Sequence, residues 1–115
     1  MPHVSSSTTL PSVTDATLPA ALGPGSGLVA VEFTAEWCGP CRVMAPVLHE
    51  VAYAYASRVR VLQLDADVNP ASMTRFGVRG LPTMLVFRDG ELVDRIVGAI
   101  SKVALVDRLE RQLAS

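Results

Sequence analysis

The sequence predicts one α/β domain built on a mixed β-sheet that helices cover. Its 115 residues fit a single domain. Two apolar runs of strand length, at residues 28–34 and 59–65, flank a segment with helical periodicity. Such a β-α-β unit requires a parallel strand pair, because the chain must cross back over the sheet. Later in the chain, Asp89-Gly90 between two apolar segments indicates an antiparallel hairpin, so the sheet should be mixed.

The composition excludes several classes of protein. Hydrophobic residues make up 50% of the chain and charged residues 18%, which argues against intrinsic disorder. The formal net charge is −1, and without a positive excess we expect no nucleic-acid partner. No apolar run approaches the roughly 20 residues that a membrane-spanning helix needs, so we expect no membrane partner.

The N-terminal region is predicted to be a flexible tail over residues 1–10, and the domain then covers residues 11–115. The tail is rich in Ser and Thr and has little periodicity. It does not resemble an export signal, because it has no basic segment and Pro11, Pro19 and Pro24 interrupt the apolar residues. We therefore expect a cytoplasmic protein, in a compartment where thiols stay reduced.

The first half of the domain contains two predicted strands and two predicted helices. Residues 13–15 suit a short edge strand, and residues 16–22 suit a helix capped by Thr14 or Asp15. Residues 28–34 are almost continuously apolar, which is typical of a strand buried on both faces. A longer helix follows the cysteines, and its apolar face comprises Met44, Val47, Leu48, Val51, Ala52 and Tyr55.

The second half continues with three predicted strands and two predicted helices. Residues 59–65 suit a second buried strand, and Asn69-Pro70 indicates an N-cap and the start of a short helix that ends near Phe76. Ser101 is expected to cap the last helix. The two hairpin strands are predicted at residues 83–87 and 91–97, and the inner face of the last helix comprises Leu105, Val106, Leu109 and Leu113.

Two cysteines carry the chemistry that the sequence predicts. Trp37-Cys38-Gly39-Pro40-Cys41 lies where the first buried strand ends and the long helix begins, which is where α/β sheets place their sites. The unpaired N–H groups and the positive dipole end of a helix N-terminus favour an anion. They should therefore stabilise Cys38 as a thiolate, the reactive form of a cysteine. Pro40 fits the first turn because that position needs no N–H donor.

The spacing of the cysteines favours redox exchange over metal binding. Residues at i and i+3 of a helix are neighbours, so a small adjustment closes a disulfide between Cys38 and Cys41. Cys38 can then attack the disulfide of a partner, and Cys41 can attack the mixed disulfide and release the reduced product. Zinc would need four ligands, and the sequence offers His3 and His49 as further soft donors. We therefore expect no metal.

Motifs along nearly the whole chain, from about Val13 to Leu113, resemble those of the thioredoxin family. They are Ala35-Glu36-Trp37-Cys38-Gly39-Pro40-Cys41, Ala45-Pro46, Gly80-Leu81-Pro82-Thr83 and Val97-Gly98-Ala99. The resemblance implies a thioredoxin fold, with a central mixed five-stranded sheet flanked by four helices. It also implies a monomer that reduces protein disulfides and binds no cofactor, and that receives electrons from NADPH through thioredoxin reductase. The expected partners are that reductase and disulfide-containing proteins.

The resemblance also implies a substrate-docking surface beside the cysteines. The peptide bond before Pro82 should be cis, with Pro82 facing the disulfide. The backbone before Pro82 could then pair with an extended segment of a substrate. The implied surface combines the active-site turn, Trp37, Gly39 and Pro40, with Leu81, Pro82, Thr83, Val97, Gly98 and Ala99.

Glu32 lies within a strand predicted to be buried on both faces, where a carboxylate is costly without a purpose. The family usually has an aspartate there, paired with a lysine, and this chain has Gln63 at the lysine position. The resemblance makes Glu32 the proton acceptor and donor for Cys41. Burial without a nearby cation should raise the pKa of Glu32 above its ordinary value. Two other departures, Thr34 for a tryptophan and Arg42 for a lysine, remove no group that the dithiol chemistry needs.

Four further residues receive structural interpretations. Pro46 is expected to kink the long helix, and His49 is expected to be a surface residue of that helix. Asp65 and Asp67 are interpreted as charges at a strand end rather than as a metal-binding pair.

Two other functions stay open from the sequence alone. The first is a thiol oxidase or isomerase of the thioredoxin fold, against which the Gly39-Pro40 pair and the N-terminal sequence both argue. The second is a redox-independent binding module, with which the uncharged apolar rim around Cys38 is compatible. A reduction potential would distinguish the first alternative, and a variant without both cysteines would distinguish the second.

Overall fold

The computed structural model describes residues 10–115. In this range it contains a five-stranded sheet and four α-helices. In chain order the elements are β1 (Ser12–Val13), α1 (Leu18–Ala21), β2 (Leu28–Thr34), α2 (Gly39–Ala54), β3 (Val59–Asp65), a 3-10 turn (Ala66–Val68), α3 (Pro70–Phe76), β4 (Thr83–Arg88), β5 (Glu91–Val97) and α4 (Lys102–Ala114). The predicted α/β architecture is confirmed. The predicted tail lies outside the described residues apart from Leu10, which is buried in the core.

The strand order in the sheet is β1-β3-β2-β4-β5. β2 pairs in parallel with β3, and α2 makes the crossover between them. β4 and β5 join the other side of β2 as an antiparallel hairpin. β2 therefore lies at the centre of the sheet, and the cysteine motif directly follows its C-terminal end.

The two faces of the sheet are covered by different helix pairs, because neighbouring strand residues point in opposite directions. From β2, Leu28 and Ala30 face α2 and α4, whereas Val29 and Val31 face the other side. Glu32 continues the first series and so belongs to the face beneath α2. The helices contribute Met44, Leu48, Val51, Leu105 and Leu109 to this face and Leu18, Met73 and Phe76 to the other.

The first helix is shorter than predicted, and one predicted cap acts elsewhere. The Thr14 hydroxyl accepts the N–H groups of Ala16 and Thr17 at 3.2 and 3.3 Å, so a turn precedes α1. Asp15 instead accepts the N–H groups of Ala71 and Ser72 at 3.1 and 2.8 Å. Its carboxylate therefore caps α3, which lies more than fifty residues further along the chain.

Asn69 occupies the N-cap position of α3 as predicted, but its side chain makes no capping bond. The Asn69 amide oxygen accepts the Asp15 N–H at 2.7 Å, and the amide nitrogen donates to the Asp65 carbonyl at 2.8 Å. Asn69 thus joins the end of β3 to the chain after β1 and leaves the capping of α3 to Asp15. Ser101, in contrast, caps α4 as predicted, since its hydroxyl accepts the Ala104 N–H at 3.1 Å.

The predicted hairpin turn is present between β4 and β5. Asp89 and Gly90 both have positive φ angles, 48° and 87°, as a tight two-residue hairpin turn requires. A Cβ atom on Gly90 would collide with the Leu22 carbonyl oxygen, so this turn also packs closely against the segment after α1.

The long helix α2 contains Pro46. Proline has no N–H, so the Arg42 carbonyl lacks its usual intrahelical donor; the kink expected there stays a prediction. Within residues 10–115, no helix combines the length and hydropathy needed to cross a bilayer.

Candidate active site

The cysteine pair lies at the N-terminus of α2. Cys38 is the N-cap residue, with extended backbone angles, and its sulfur accepts the Cys41 N–H at 3.2 Å. The two residues are joined by a disulfide, and their Cα atoms are 5.3 Å apart. The predicted pairing of Cys38 with Cys41 is therefore present at the predicted strand-to-helix junction.

Both cysteines are shielded from solvent. Cys38 is 3% exposed and Cys41 is 4% exposed, and they pack with Ala35 and Leu81. Burial therefore does not distinguish Cys38, expected to attack first, from Cys41, expected to attack second. The two cysteines differ in hydrogen bonding. The Cys38 sulfur accepts a hydrogen bond from the Cys41 N–H, which is one of the N–H groups of the first helical turn that have no carbonyl partner within the helix.

The Trp37 side chain makes a hydrogen bond that the sequence did not predict. Its side chain is 66% exposed, and its indole N–H lies 3.0 Å from each carboxylate oxygen of Asp67. Asp67 in turn donates its N–H to Asp65 at 2.9 Å. Asp67 is thus a hydrogen-bond partner of Trp37 and not only a charge at a strand end. Because thirty residues separate the two, no local sequence pattern could have revealed this contact.

The segments expected to dock a substrate lie side by side. The peptide bond between Leu81 and Pro82 is cis, as the resemblance implied. The Gly98 N–H donates to the Pro82 carbonyl at 2.8 Å, and Thr83 pairs with Val97 across β4 and β5. The loop before β4 and the end of β5 therefore form one surface, on which Val97 is 66% exposed. Leu81 connects this surface to the cysteines.

Glu32 is buried in the middle of β2, with an exposed fraction of 4%. Its neighbours across the sheet are Gln63 on β3 and Met84 on β4. Burial raises the pKa of Glu32 from 4.5 to about 7, in the direction that the sequence predicted. Among the described residues, its Oε2 atom has no hydrogen-bond partner. With a pKa of about 7, this carboxyl group is present in both protonation states near neutral pH.

Gln63 does not supply a substitute for the missing cation. Its side-chain nitrogen donates to the Leu10 carbonyl at 3.3 Å and to the Ser12 hydroxyl at 3.2 Å. The amide thus ties β1 to β3. Gln63 is uncharged and its amide nitrogen is bonded elsewhere, so it does not stabilise the Glu32 carboxylate. Desolvation by burial is accordingly the cause of the raised Glu32 pKa.

Glu32 and Cys41 border the same cavity, which has a volume of about 650 Å³. It lies between α2 and the strands β1, β2 and β3. Its wall comprises Leu10, Ser12, Glu32, Thr34, Ala35, Glu36, Cys41, Arg42, Ala45, Leu48, His49, Gln63 and Asp65. His49, expected to be a surface residue, is only partly exposed and forms part of this wall.

Metal binding finds no support in the described part of the chain. Within residues 10–115, no three or more His, Cys, Asp or Glu side chains are grouped so that they could hold a metal ion. The zinc alternative had named His3 as a ligand, and His3 lies outside the described residues.

Comparisons with known proteins agree with this geometry. The family model described as Thioredoxin matches residues 10–111. Thioredoxin 1 of Synechococcus elongatus is 43% identical over 101 residues, which cover 88% of this chain and 94% of that protein. Thioredoxin of Synechocystis is 39% identical over 112 residues, covering 97% of this chain and 96% of that protein. Thioredoxin of Staphylococcus saprophyticus is 46% identical over 76% of this chain and 85% of its own length. The chain belongs to the thioredoxin family of protein-disulfide oxidoreductases.

Proposed function

We propose that the chain reduces protein disulfides in two steps, with Cys38 as the nucleophile and Cys41 as the resolving group. In the first step the Cys38 thiolate attacks one sulfur of the substrate disulfide, and the other substrate sulfur leaves as a thiolate. In the second step Cys41 attacks the Cys38 sulfur, and the remaining substrate sulfur leaves as a thiolate. Two electrons thereby pass to the substrate, and the Cys38–Cys41 disulfide forms.

The observation that carries this assignment is the place of Cys38 at the start of α2. Its sulfur accepts the Cys41 N–H at 3.2 Å in the disulfide form. In the reduced form, the same donor and the helix N-terminus would stabilise a negative charge on this sulfur. Cys41 lies inside the helix, and within residues 10–115 no N–H group donates to its sulfur, which supports its role as the second, resolving group.

Glu32 supports the second step as the proton acceptor of Cys41. Both residues border one cavity, and the Glu32 pKa of about 7 matches the requirement of an acid–base group at neutral pH. Glu32 takes the proton from the Cys41 thiol as that sulfur attacks Cys38. When the disulfide is reduced again, Glu32 returns a proton to Cys41.

The surface beside the cysteines docks the substrate. Trp37, Gly39 and Pro40 form one side of it, and the Leu81–Pro82 loop with Val97, Gly98 and Ala99 forms the other. The exposed apolar side chains of Trp37 and Val97 suit contact with an unfolded or extended segment. The backbone before Pro82 can add such a segment as a further strand.

The electrons come from NADPH through a thioredoxin reductase, and the protein acts as a monomer. This chain binds no nucleotide itself in the proposed cycle, since the reductase delivers electrons directly to the Cys38–Cys41 disulfide. The cytoplasm is the compartment proposed for this cycle, because it maintains thiols in the reduced state. Cell fractionation and size-exclusion chromatography test these two expectations.

A coupled turnover assay tests the proposed function. Purified protein, thioredoxin reductase, NADPH and a disulfide-bonded substrate protein should together consume NADPH, and Cys38→Ser or Cys41→Ser should reduce the rate to background. A double variant, Cys38→Ser with Cys41→Ser, that retained all biological activity would contradict the proposal and favour a redox-independent binding module. A reduction potential as high as those of the oxidising relatives, measured against glutathione, would favour an oxidase or isomerase.

The role of Glu32 is tested by the pH dependence of the resolving step. In single-turnover kinetics, Glu32→Gln should slow this step roughly tenfold or more at neutral pH and remove its inflection near pH 7. Glu36→Gln is the matched control, because Glu36 is an exposed carboxylate in the wall of the same cavity. An unchanged pH profile in Glu32→Gln would contradict the role.

A further inference from the structure

The cavity beside Cys41 extends along α2 to a histidine. Cys41, Ala45 and His49 follow one another at intervals of four residues and border the same space, so they lie on one side of the helix. At a rise of about 1.5 Å per residue, His49 is roughly 12 Å further along the helix axis than Cys41. The cavity thus connects the buried acid–base pair to a partly exposed imidazole at a more distant part of its wall.

The proposed reaction requires a route for a proton. Glu32 receives the proton of Cys41 as the disulfide forms and supplies a proton when the disulfide is reduced again. With a pKa of about 7 it exchanges protons with the solvent between these two events, yet its side chain is 4% exposed. Its Oε2 atom has no partner among the described residues, and a buried polar atom of this kind is usually paired with water. A cavity of about 650 Å³ has room for several waters, each of which occupies about 30 Å³ in the liquid.

The charged groups in the cavity wall differ in their ability to pass on this proton. Besides Glu32 and Cys41 they are Glu36 before α2, Arg42 and His49 on α2, and Asp65 at the end of β3. A guanidinium does not release its proton in a protein. Glu36 and Asp65 are exposed, and a carboxylate in water is a weaker base than an imidazole. An imidazole can accept a proton at one nitrogen and release one at the other.

We propose that His49 is a proton-relay residue, which exchanges protons with Glu32 through waters in this cavity and with solvent at its outer side. The proposal rests on the role of Glu32 as the base for Cys41. The proton of the Cys41 thiol moves to Glu32, then along the waters to His49, and His49 releases a proton to the solvent. No electron moves in these steps, and Glu32 returns to its carboxylate form. The same path in reverse supplies the proton that Glu32 gives to Cys41 when the disulfide is reduced again.

His49→Gln tests the relay in multiple-turnover kinetics with reductase and NADPH in excess, measured from pH 5.5 to 9 in dilute buffer, because Glu32 exchanges its proton with the solvent between turnovers. We expect a rate near pH 7 that is roughly tenfold lower than in the wild type, a smaller loss than direct removal of an acid–base group can cause. The inflection near pH 7 should stay in place, because it belongs to Glu32. Free imidazole added to the buffer should restore the rate of His49→Gln and leave the wild-type rate unchanged.

Glu50→Gln is the matched control, because Glu50 is exposed on the same helix, pairs with Lys102 and does not line the cavity. A wild-type rate for His49→Gln in dilute buffer would overturn the relay, as would a slow rate that imidazole does not restore. A displaced inflection would show instead that His49 acts on Glu32 by its charge. If Glu32→Gln also keeps the wild-type rate and inflection, the role of Glu32 fails too. If Glu32→Gln changes them while His49→Gln keeps the wild-type rate, only the relay fails.

Discussion

At the scale of a single residue, Glu32 is an ionisable side chain in an apolar and buried position. It is a carboxyl group placed among the apolar residues of the central strand, and burial raises its pKa to about 7. A buried carboxylate is costly, so Glu32 lowers the stability of the chain at neutral pH, and its proposed acid–base role beside Cys41 accounts for that cost. This cost is measurable separately from the chemistry.

The stability of the oxidised protein should reveal the cost. Between pH 4.5 and about 7, folded Glu32 holds a proton that the unfolded chain has already lost, so the free energy of unfolding falls as the pH rises. At 1.36 kcal/mol per pKa unit, this loss amounts to about 3 kcal/mol. Denaturant unfolding of the wild type and Glu32→Gln at several pH values should therefore show a difference that changes by about this amount between pH 4 and pH 8. The disulfide keeps the cysteines from titrating, and a difference that stays constant with pH would contradict the account.

Trp37 offers a second measurement at this scale, because it is the single tryptophan of the chain. Its indole N–H is bonded to Asp67, so Asp67→Ala should free the side chain and lower the anisotropy of its fluorescence. The bond is exposed, and its loss should cost about 1 kcal/mol of stability or less. Glu36→Ala is the control, since it removes a carboxylate next to Trp37 in sequence. Equal anisotropy in Asp67→Ala and the wild type would show that the hydrogen bond does not hold Trp37.

At the scale of elements, α3 depends on a residue far from it in sequence. Asp15 accepts the Ala71 and Ser72 N–H groups, while Asn69 makes no capping bond. The Ser72 side chain is the largest cause of a lowered Asp15 pKa, and the backbone N–H groups of Ser72 and Ala71 add to it. The carboxylate form of Asp15 therefore stabilises the fold.

Replacement of Asp15 should consequently have a pH-dependent effect. Asp15→Ala should lower the midpoint of denaturant unfolding at pH 7, and Asp15→Asn, which keeps an acceptor oxygen, should lower it less. Since the pKa of Asp15 is lowered in the folded state, its contribution is present above pH 3.8 and disappears as the pH falls through the folded-state value. Circular dichroism at pH 7 and at pH 2 provides the comparison. The same effect at both pH values would contradict the capping role.

The elements themselves were largely predictable, because their signals are local. β2, β3, β5 and α3 begin and end where hydrophobic runs, Asn69-Pro70 and Asp89-Gly90 predicted them. The capping of α3 by Asp15 rather than by Asn69 was not predictable, since it depends on the segment after β1 lying beside the start of α3. Even the helix at residues 16–22 was overestimated, because the Thr14 hydroxyl stabilises a turn in place of its first residues.

The candidate site was predictable to a similar degree. The spacing of Cys38 and Cys41 identified them as a redox pair. Glu32 was recognisable because it is a carboxylate in an apolar strand. The partner of Trp37 and the place of His49 in the cavity wall depend on contacts between distant segments. The docking residues came from resemblance rather than from any local signal, because their proximity results from the pairing of β4 with β5.

At the scale of the whole molecule, the strand order brings the separate parts of the site to one edge. The centre of the sheet ends at the cysteine motif, and the antiparallel hairpin places the Pro82 loop beside it. The sheet face beneath α2 holds Glu32, and the cavity lies on that face. The proposed nucleophile, acid–base group and docking surface are thus positioned by one arrangement of strands, which explains how a chain of 115 residues can contain all three.

The most direct test of the account is to stop the reaction between its two steps. Cys41→Ser, mixed with a disulfide-bonded substrate protein, should accumulate a mixed disulfide, and mass spectrometry after digestion should find the substrate joined to Cys38. Cys38→Ser under the same conditions should form no such product at a comparable rate. Trapping through Cys41 in Cys38→Ser, with none through Cys38 in Cys41→Ser, would contradict the assignment of the two cysteines.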